Sequence, residues 1–188
     1  GGREIGRKLA LHLGIPFYDR ELITRAAKKT GFDEKLFDQL DKRATNSFLY
    51  SLTMFGSVGL NGMSLTDQLY LAQSNIIREM AEDSPCVIVG RCADHVLRDF
   101  PNKFDFFIHG SIEDRVKRIQ TCGDYEIEGK TPESALEKMD KQRSTYYNYY
   151  TGKVWGKCDH YDLSINAGRL GVEYSTVIIL DFVNRLKK

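Results

Sequence analysis

The sequence predicts an α/β domain built on a parallel sheet. Three observations carry this: short apolar runs of strand type recur along the chain, segments of helical spacing separate them, and Gly or Pro stands where the helices must stop or start. Parallel strands need a crossover between them, and the intervening helices supply it. With 188 residues, the chain is one domain, or one domain with a lid.

The first helix is expected over residues 2–13, where Ile5, Leu9, Ala10 and Leu13 share a face and Gly14 supplies the terminator. Ile15 to Asp19 reads as a short buried strand. Glu21 to Lys29 returns to helical spacing through Leu22, Ile23, Ala26 and Ala27, and residues 33–42 form another short helix. An uncharged stretch from Ala44 to Thr66 follows, and then a long helix from Leu65 to Glu82 with Leu69, Ala72, Ile76 and Met80 on one side. Pro85 ends that region. Cys86 to Val89 is a compact apolar run closed by Gly90, the mark of a strand covered on both faces. The order then repeats: helix at 93–99, strand at 104–108, helix at 112–120. Thr131-Pro132-Glu133 opens a helix that runs to about Tyr150, with Pro in its first turn. A last strand, Asp162 to Asn166, leads through Gly168 and Gly171 into the closing helix from Val172 to Lys187.

Composition excludes several classes of function. Hydrophobic residues make up 41% of the chain, so disorder is not the default. The 27 Lys and Arg against 26 Asp and Glu leave a net charge of +1, and no global field favours nucleic acid or an anionic membrane surface. Any grip on phosphate must come from local placement of cations. The stretch from Ala44 to Thr66 is long enough to cross a bilayer, but Asn46, Ser47, Ser51, Gly56, Gly59, Asn61 and Gly62 make it a loop. Gly1-Gly2-Arg3-Glu4 has no apolar run behind it, so no signal peptide is expected. Cys86, Cys92, Cys122 and Cys158 show no CxxC pairing, which suits a reducing cytoplasm. His95, His109 and His160 lack partners at metal-ligand spacing, and the turn of a Ser-His-Asp hydrolase is absent.

In open α/β sheets ligands bind beyond the carboxyl ends of the strands, and this narrows the residues worth weighing. Gly1-Gly2-Arg3-Glu4 opens a helix, where free N–H groups and a cation meet; it is either a phosphate site or an ordinary loop. Arg91 follows a strand directly and either forks onto a phosphate or caps the loop. Asp19 is either the N-cap of the next helix or a carboxylate that orients a ligand. Asp140 and Arg143, three apart on one helix, face the same way and permit a plain surface ion pair. Arg115 and Arg118, one turn apart, either face solvent or point at a phosphate. Only Lys141, Arg143 and Lys153 lie near Tyr146, Tyr147, Tyr149 and Tyr150, too few cations for a single-stranded nucleic acid platform. A helix at residue 1 of a parallel α/β domain also leads us to expect, upstream in the natural chain, an apolar strand and more of a glycine loop; a natural start at Gly1 would remove that expectation.

Five segments, taken in order, resemble the cytidylate kinase-like family of P-loop nucleoside monophosphate kinases. They are Gly-Gly-Arg-Glu-Ile-Gly-Arg-Lys-Leu-Ala at the start, Ile-Pro-Phe-Tyr-Asp-Arg-Glu-Leu-Ile at 15–23, Val-Ile-Val-Gly-Arg-Cys-Ala-Asp at 87–94, Asp-Lys-Gln-Arg-Ser-Thr-Tyr-Tyr at 140–147, and Tyr-Asp-Leu-Ser-Ile-Asn at 161–166. The resemblance implies a three-layer P-loop NTPase-type fold, a parallel sheet flanked by helices, with a helical region for the monophosphate and a small lid. Within one kinase domain over 1–188, the core would take 1–19, 84–120 and 159–188, the monophosphate region about 20–83, and the lid with its helix about 121–158. ATP and Mg²⁺ are the implied cofactors. Gly1, Gly2, Arg3, Glu4 and Ile5 would cradle ATP, with Arg3 where the phosphate-loop Lys normally lies and Glu4 where a Ser or Thr normally holds Mg²⁺, here through water. Asp19 and Arg91 match positions that hold the acceptor monophosphate, and Asp94 one that reads its base. Asp140 and Arg143 match the later half of the lid signature Arg-Asp-x-x-Asp-x-x-Arg. The earlier half falls on Leu136 and Glu137, so one lid Arg is absent, and Lys141 or Arg118 is the expected substitute.

Phosphoryl transfer fits such residues, since it needs two anionic substrates held in line and cations on the charge that spreads in the transition state. Arg3, Arg118, Asp140 and Arg143 are the expected catalytic set. The expected activity is transfer from ATP to a nucleoside monophosphate, CMP or dCMP first, with no nucleic acid or membrane partner. Two other readings remain: a kinase of another small-molecule acceptor, and a nucleotide-binding regulator without catalysis. The loop from Phe55 to Gly62 and the stretch from Thr121 to Lys130 are the expected moving parts.

Overall fold

A computed structural model describes residues 1–20, 22–23, 63–122 and 131–186. The expected helices at 21–29 and 33–42, the loop from Phe55 to Gly62 and residues 123–130 lie outside them, apart from Leu22 and Ile23. Among the described residues the chain is mixed α/β, with small parallel sheets flanked by helices.

Helix α1 covers Gly2–Leu13 and buries Ile5, Gly6, Leu9 and Ala10. Gly14 ends it in the left-handed conformation, with its N–H turned back to the carbonyls of Ala10 and Leu11. Strand β1 is only Phe17–Tyr18, shorter than the expected run from Ile15, because Pro16 has no N–H to give to a ladder. The carbonyl of Pro16 accepts from Val87 N–H at 2.9 Å. Helix α2, Leu65–Asp83, starts at Ser64, whose hydroxyl accepts from the N–H of Asp67 at 3.1 Å. Strand β2, Val87–Ile88, pairs in parallel with β1, Phe17 opposite Val87 and Tyr18 opposite Ile88.

Helix α3 is Ala93–Val96, a single turn rather than the expected 93–99, since Leu97 leaves helical geometry. Strand β3, Phe106–His109, pairs in parallel with β4, Leu163–Asn166. Between them lie α4, Ile112–Cys122, which absorbs Thr121 from the expected mobile stretch, and α5, Pro132–Thr151. Helix α6, Ala167–Leu186, begins earlier than expected and takes in Gly168. It is broken at Gly171 (φ 72, ψ 169), a conformation open to glycine, so the long run resumes at Val172 as its spacing suggested.

Among the described residues the strands form two parallel pairs, β1–β2 and β3–β4, with no ladder between β2 and β3. Helix α1 joins them from one side. Ile5, Leu9, Ile165, Ile179 and Val183 form one buried cluster, against which Val87 of β2 and Phe106 and Ile108 of β3 pack. Tyr18 and Ile88 point the other way, onto Ile23, Ile77 and Val96. Alternate residues of the β1–β2 pair thus meet helices on opposite faces. At Gly6 a Cβ would stand 2.9 Å from Val89 Cγ2 and 3.1 Å from Phe17 Cε2, so this glycine lets α1 lie close on the β1–β2 pair. Among the described residues no helix is long and apolar enough to cross a membrane.

Candidate functional site

The start of α1 lies beside the carboxyl ends of β3 and β4: a Cβ on Gly2 would sit 3.6 Å from Cβ of Ile108, and one on Gly1 4.0 Å from Cβ of Ala167. Gly1, the N-cap, has no side chain to cap the helix, and the positive end of the helix dipole lies at the strand ends. One cavity there borders Gly1, Gly2, Arg3, Ile5, Asp19, Arg91, Asp94, Arg118, Asp140 and Arg143. Arg3, Arg91 and Arg143, far apart in sequence, all border this long open cavity, which also runs between the two strand pairs to Leu13 and Leu186. Of the expected site residues Glu4 alone is outside this lining.

Arg3 reaches across to Asp19, with Nε donating to Oδ2 at 2.7 Å and a terminal nitrogen 2.6 Å from the same oxygen. Asp19 is 5% exposed, and its other oxygen accepts from the N–H of Leu22 at 3.1 Å. The two alternatives for this residue coexist: it caps the turn after β1 and it orients a cation. Glu4 is engaged by the guanidinium of Arg118. The carboxylate expected to face a metal is thus engaged by a cation from α4.

Asp140 is instead met by Arg115, which the residue spacing left undecided. Its two terminal nitrogens donate to the two oxygens of Asp140 at 2.6 and 2.8 Å, a bidentate fork from α4 onto α5. Arg143 adds a longer bond to Asp140 at 3.3 Å. What spacing suggested as a two-residue surface pair is a carboxylate bridging two guanidinium groups from two helices. Lys141 is exposed. No local signal separates Arg115 from Arg118, because both lie on one helical face; only the docking of α4 against α5 and α1 assigns each its carboxylate.

The loop after β2 has an unusual backbone. Gly90, Arg91 and Cys92 all have positive φ (83, 56 and 55°), and left-handed geometry costs about 1–3 kcal/mol at each non-glycine residue. Cys92 is 4% exposed, and burial pushes its thiol up to about 12, which leaves it unreactive near neutrality. The guanidinium of Arg91 lies over the ring of Tyr146 at 5.8 Å, and Asp94 accepts from the hydroxyl of Tyr147 at 2.6 Å. Tyr150 stacks on Tyr70 with ring centres 3.9 Å apart and donates to Asp67 at 3.2 Å. The tyrosines of α5 therefore dock that helix onto α2 and the 90–94 loop. No group of three or more His, Cys, Asp or Glu suited to a metal ion occurs among the described residues.

The model of the cytidylate kinase-like family matches residues 1–169. The crystal structure of an uncharacterized protein from Eubacterium ventriosum ATCC 27560 is similar at 29% identity and a TM-score of 0.69, over 98% of this chain and 92% of that one. No curated protein matches. With the family model covering nine-tenths of its length and this arrangement of strand ends and cations, the chain belongs to the cytidylate kinase-like family, and kinase-type chemistry is what that membership suggests.

Proposed function

We propose that the protein is an ATP-dependent phosphotransferase that moves the γ-phosphoryl group of ATP to a nucleoside monophosphate, with CMP or dCMP the first acceptor to test. One observation carries the reading: guanidinium groups from separate segments are tied across elements, Arg3 of α1 to Asp19 after β1, Arg118 of α4 to Glu4 of α1, and Arg115 of α4 with Arg143 of α5 to Asp140, and with Arg91 after β2 they border one long open cavity. Transfer between two anionic substrates needs this convergence more than it needs a general base.

In this reading the N-terminus of α1 and Arg3 hold the ATP phosphates, Arg91 and Asp19 hold the acceptor monophosphate, with Arg91 on its phosphate, and Asp94 serves its base. Asp140 sets the two lid-side cations, Arg115 and Arg143. Mg²⁺ enters on the nucleotide, with Glu4 placed to reach it only through water once Arg118 moves to phosphate. The carboxylates now holding Arg3, Arg118, Arg115 and Arg143 keep these side chains ordered near the cleft until phosphate oxygens compete for them.

The same reading assigns the finer architecture: a P-loop three-layer core over 1–19, 84–120 and 159–188, a monophosphate region over about 20–83, a lid over about 121–158, and a strand feeding α1 from upstream. It is supported by the space between the two strand pairs, bordered by Val87 and Ile88 on one side and Phe106 and Ile108 on the other. The intact mass of the natural protein tests that strand. The protein would work in the cytoplasm, in keeping with Cys86, Cys92 and Cys158 as free thiols.

The test is ADP release with Mg²⁺ and ATP across CMP, dCMP, UMP, AMP and GMP. Stimulation by one or more monophosphates is expected. ATP binding with no turnover on any of them would overturn the reading and favour a nucleotide-binding regulator, an alternative to which the engagement of Glu4 by Arg118 lends weight.

A further inference from the structure

Resting on the acceptor role of Arg91 and Asp94 above, we infer that Tyr146 and Tyr147 are positioning residues for the acceptor: the ring of Tyr146 aims the Arg91 guanidinium, and the hydroxyl of Tyr147 holds the Asp94 carboxylate. The need for such support lies in the 90–94 loop. Three consecutive residues there have positive φ, and the helix that follows is a single turn whose N-cap, Cys92, makes no side-chain capping bond. A strained backbone of this kind persists only where the surrounding structure holds it.

What packs against it is α5. Arg91 lies over the Tyr146 ring at 5.8 Å, and the ring is itself held edge-on by Tyr150 at 4.9 Å and by Tyr70 of α2 at 6.4 Å. Tyr70 and Tyr150 are stacked within 7° of parallel, so the face presented to Arg91 belongs to a braced aromatic set rather than to one mobile side chain. Tyr147 is 6% exposed, and its hydroxyl ends on Asp94 at 2.6 Å.

The consequence reaches beyond the loop. Asp140, which anchors Arg115 and Arg143, lies seven residues before Tyr147 on the same helix, about two turns and therefore nearly the same face. One rigid helix is then the common reference for the lid-side cations at one end and for the acceptor-binding loop at the other. A shift of α5 would move both sets together, which is what in-line transfer asks of two separately bound substrates.

A double-mutant cycle tests this, with CMP as the probe. Tyr146→Leu should raise the KM for CMP by about tenfold with kcat changed less than about threefold, and Tyr146→Phe, which keeps the ring face but loses the hydroxyl's hydrogen bond to Arg91, should restore part of the loss. Arg91→Ala combined with Tyr146→Leu should be no worse than Arg91→Ala alone, because Tyr146 acts through Arg91. Additive losses, or equal losses from Phe and Leu, overturn the positioning role. A measurement that needs no acceptor and no folded variant accompanies it: the Arg91 Nε–H proton signal of the unmutated chain should carry an upfield ring-current displacement, and an ordinary position would sink the Arg91–Tyr146 placement. Absence of turnover by the unmutated protein on CMP and on every other monophosphate tested would instead sink the acceptor reading, and the role of these tyrosines with it; turnover on another of them makes that one the probe of the cycle.

Discussion

At Gly6 the absence of a side chain decides how close α1 can lie to the β1–β2 pair. The nearest atoms to an added Cβ are Val89 Cγ2, on a short branched side chain, and Phe17 Cε2, on a rigid ring, so neither yields cheaply. Gly6→Ala should therefore destabilise the fold by about 1–3 kcal/mol, the usual range for overpacking. Urea unfolding of the two proteins checks it, and an unchanged midpoint would mean that α1 can lift away at no cost. Asp19 shows at the same scale why a residue resists reading from its neighbours. Its capping bond to Leu22 is local and legible, whereas its bond to Arg3 spans sixteen positions and exists only because the start of α1 lies beside the end of β1.

Helix α5 shows how much an element can declare about itself. Thr131, Pro132 and Ser134 specify its start: the Thr131 hydroxyl accepts from Ser134 N–H and the Ser134 hydroxyl from Thr131 N–H, both at 3.2 Å. Thr131→Ala should cost about 1 kcal/mol, read as a fall in Tm of about 2–4 °C for a chain of this size. A Tm equal to that of the unmutated protein would show that the first turn is held by packing alone. The interior of α5 was less legible. Its tyrosine run, Tyr146, Tyr147, Tyr149 and Tyr150, has no single reading from spacing, since the residues fall on two sides of the helix. The contacts with Tyr70, Arg91 and Asp94 come from α2 and the 90–94 loop, and no pattern within α5 announces them.

Across the whole molecule the tyrosines couple stability to pH. Burial, as the leading cause, pushes the phenols of Tyr70, Tyr146, Tyr147, Tyr150 and Tyr161 above the ordinary tyrosine range. A folded-state pKa above the unfolded one, about 10 for tyrosine, stabilises the fold fully below the unfolded value and is lost as pH rises toward the folded value. Stability from these groups should hold through neutral pH and fall above about pH 10. Phenolate absorbance followed beside far-UV circular dichroism checks this: a late group of tyrosines should ionise together with loss of structure. Ionisation of all ten tyrosines in one early wave, with the dichroism unchanged, would contradict it.

Helical spacing, Gly14, the Thr131-Pro132 start and the apolar runs determined by themselves the class of the fold and the order of its elements, because those signals are local: backbone donors, caps and periodic apolar faces act within a few residues. The family too was readable from short segments in order. Only the tertiary structure decided that the strands form two pairs, that Arg115 rather than Arg118 or Lys141 bridges to Asp140, and that Glu4 meets Arg118. Ion pairs and strand neighbours depend on where separate elements come to rest, and that is set by the shared burial of Ile5, Leu9, Ile165, Ile179 and Val183 against both pairs, a sum over the chain that no single stretch of it contains.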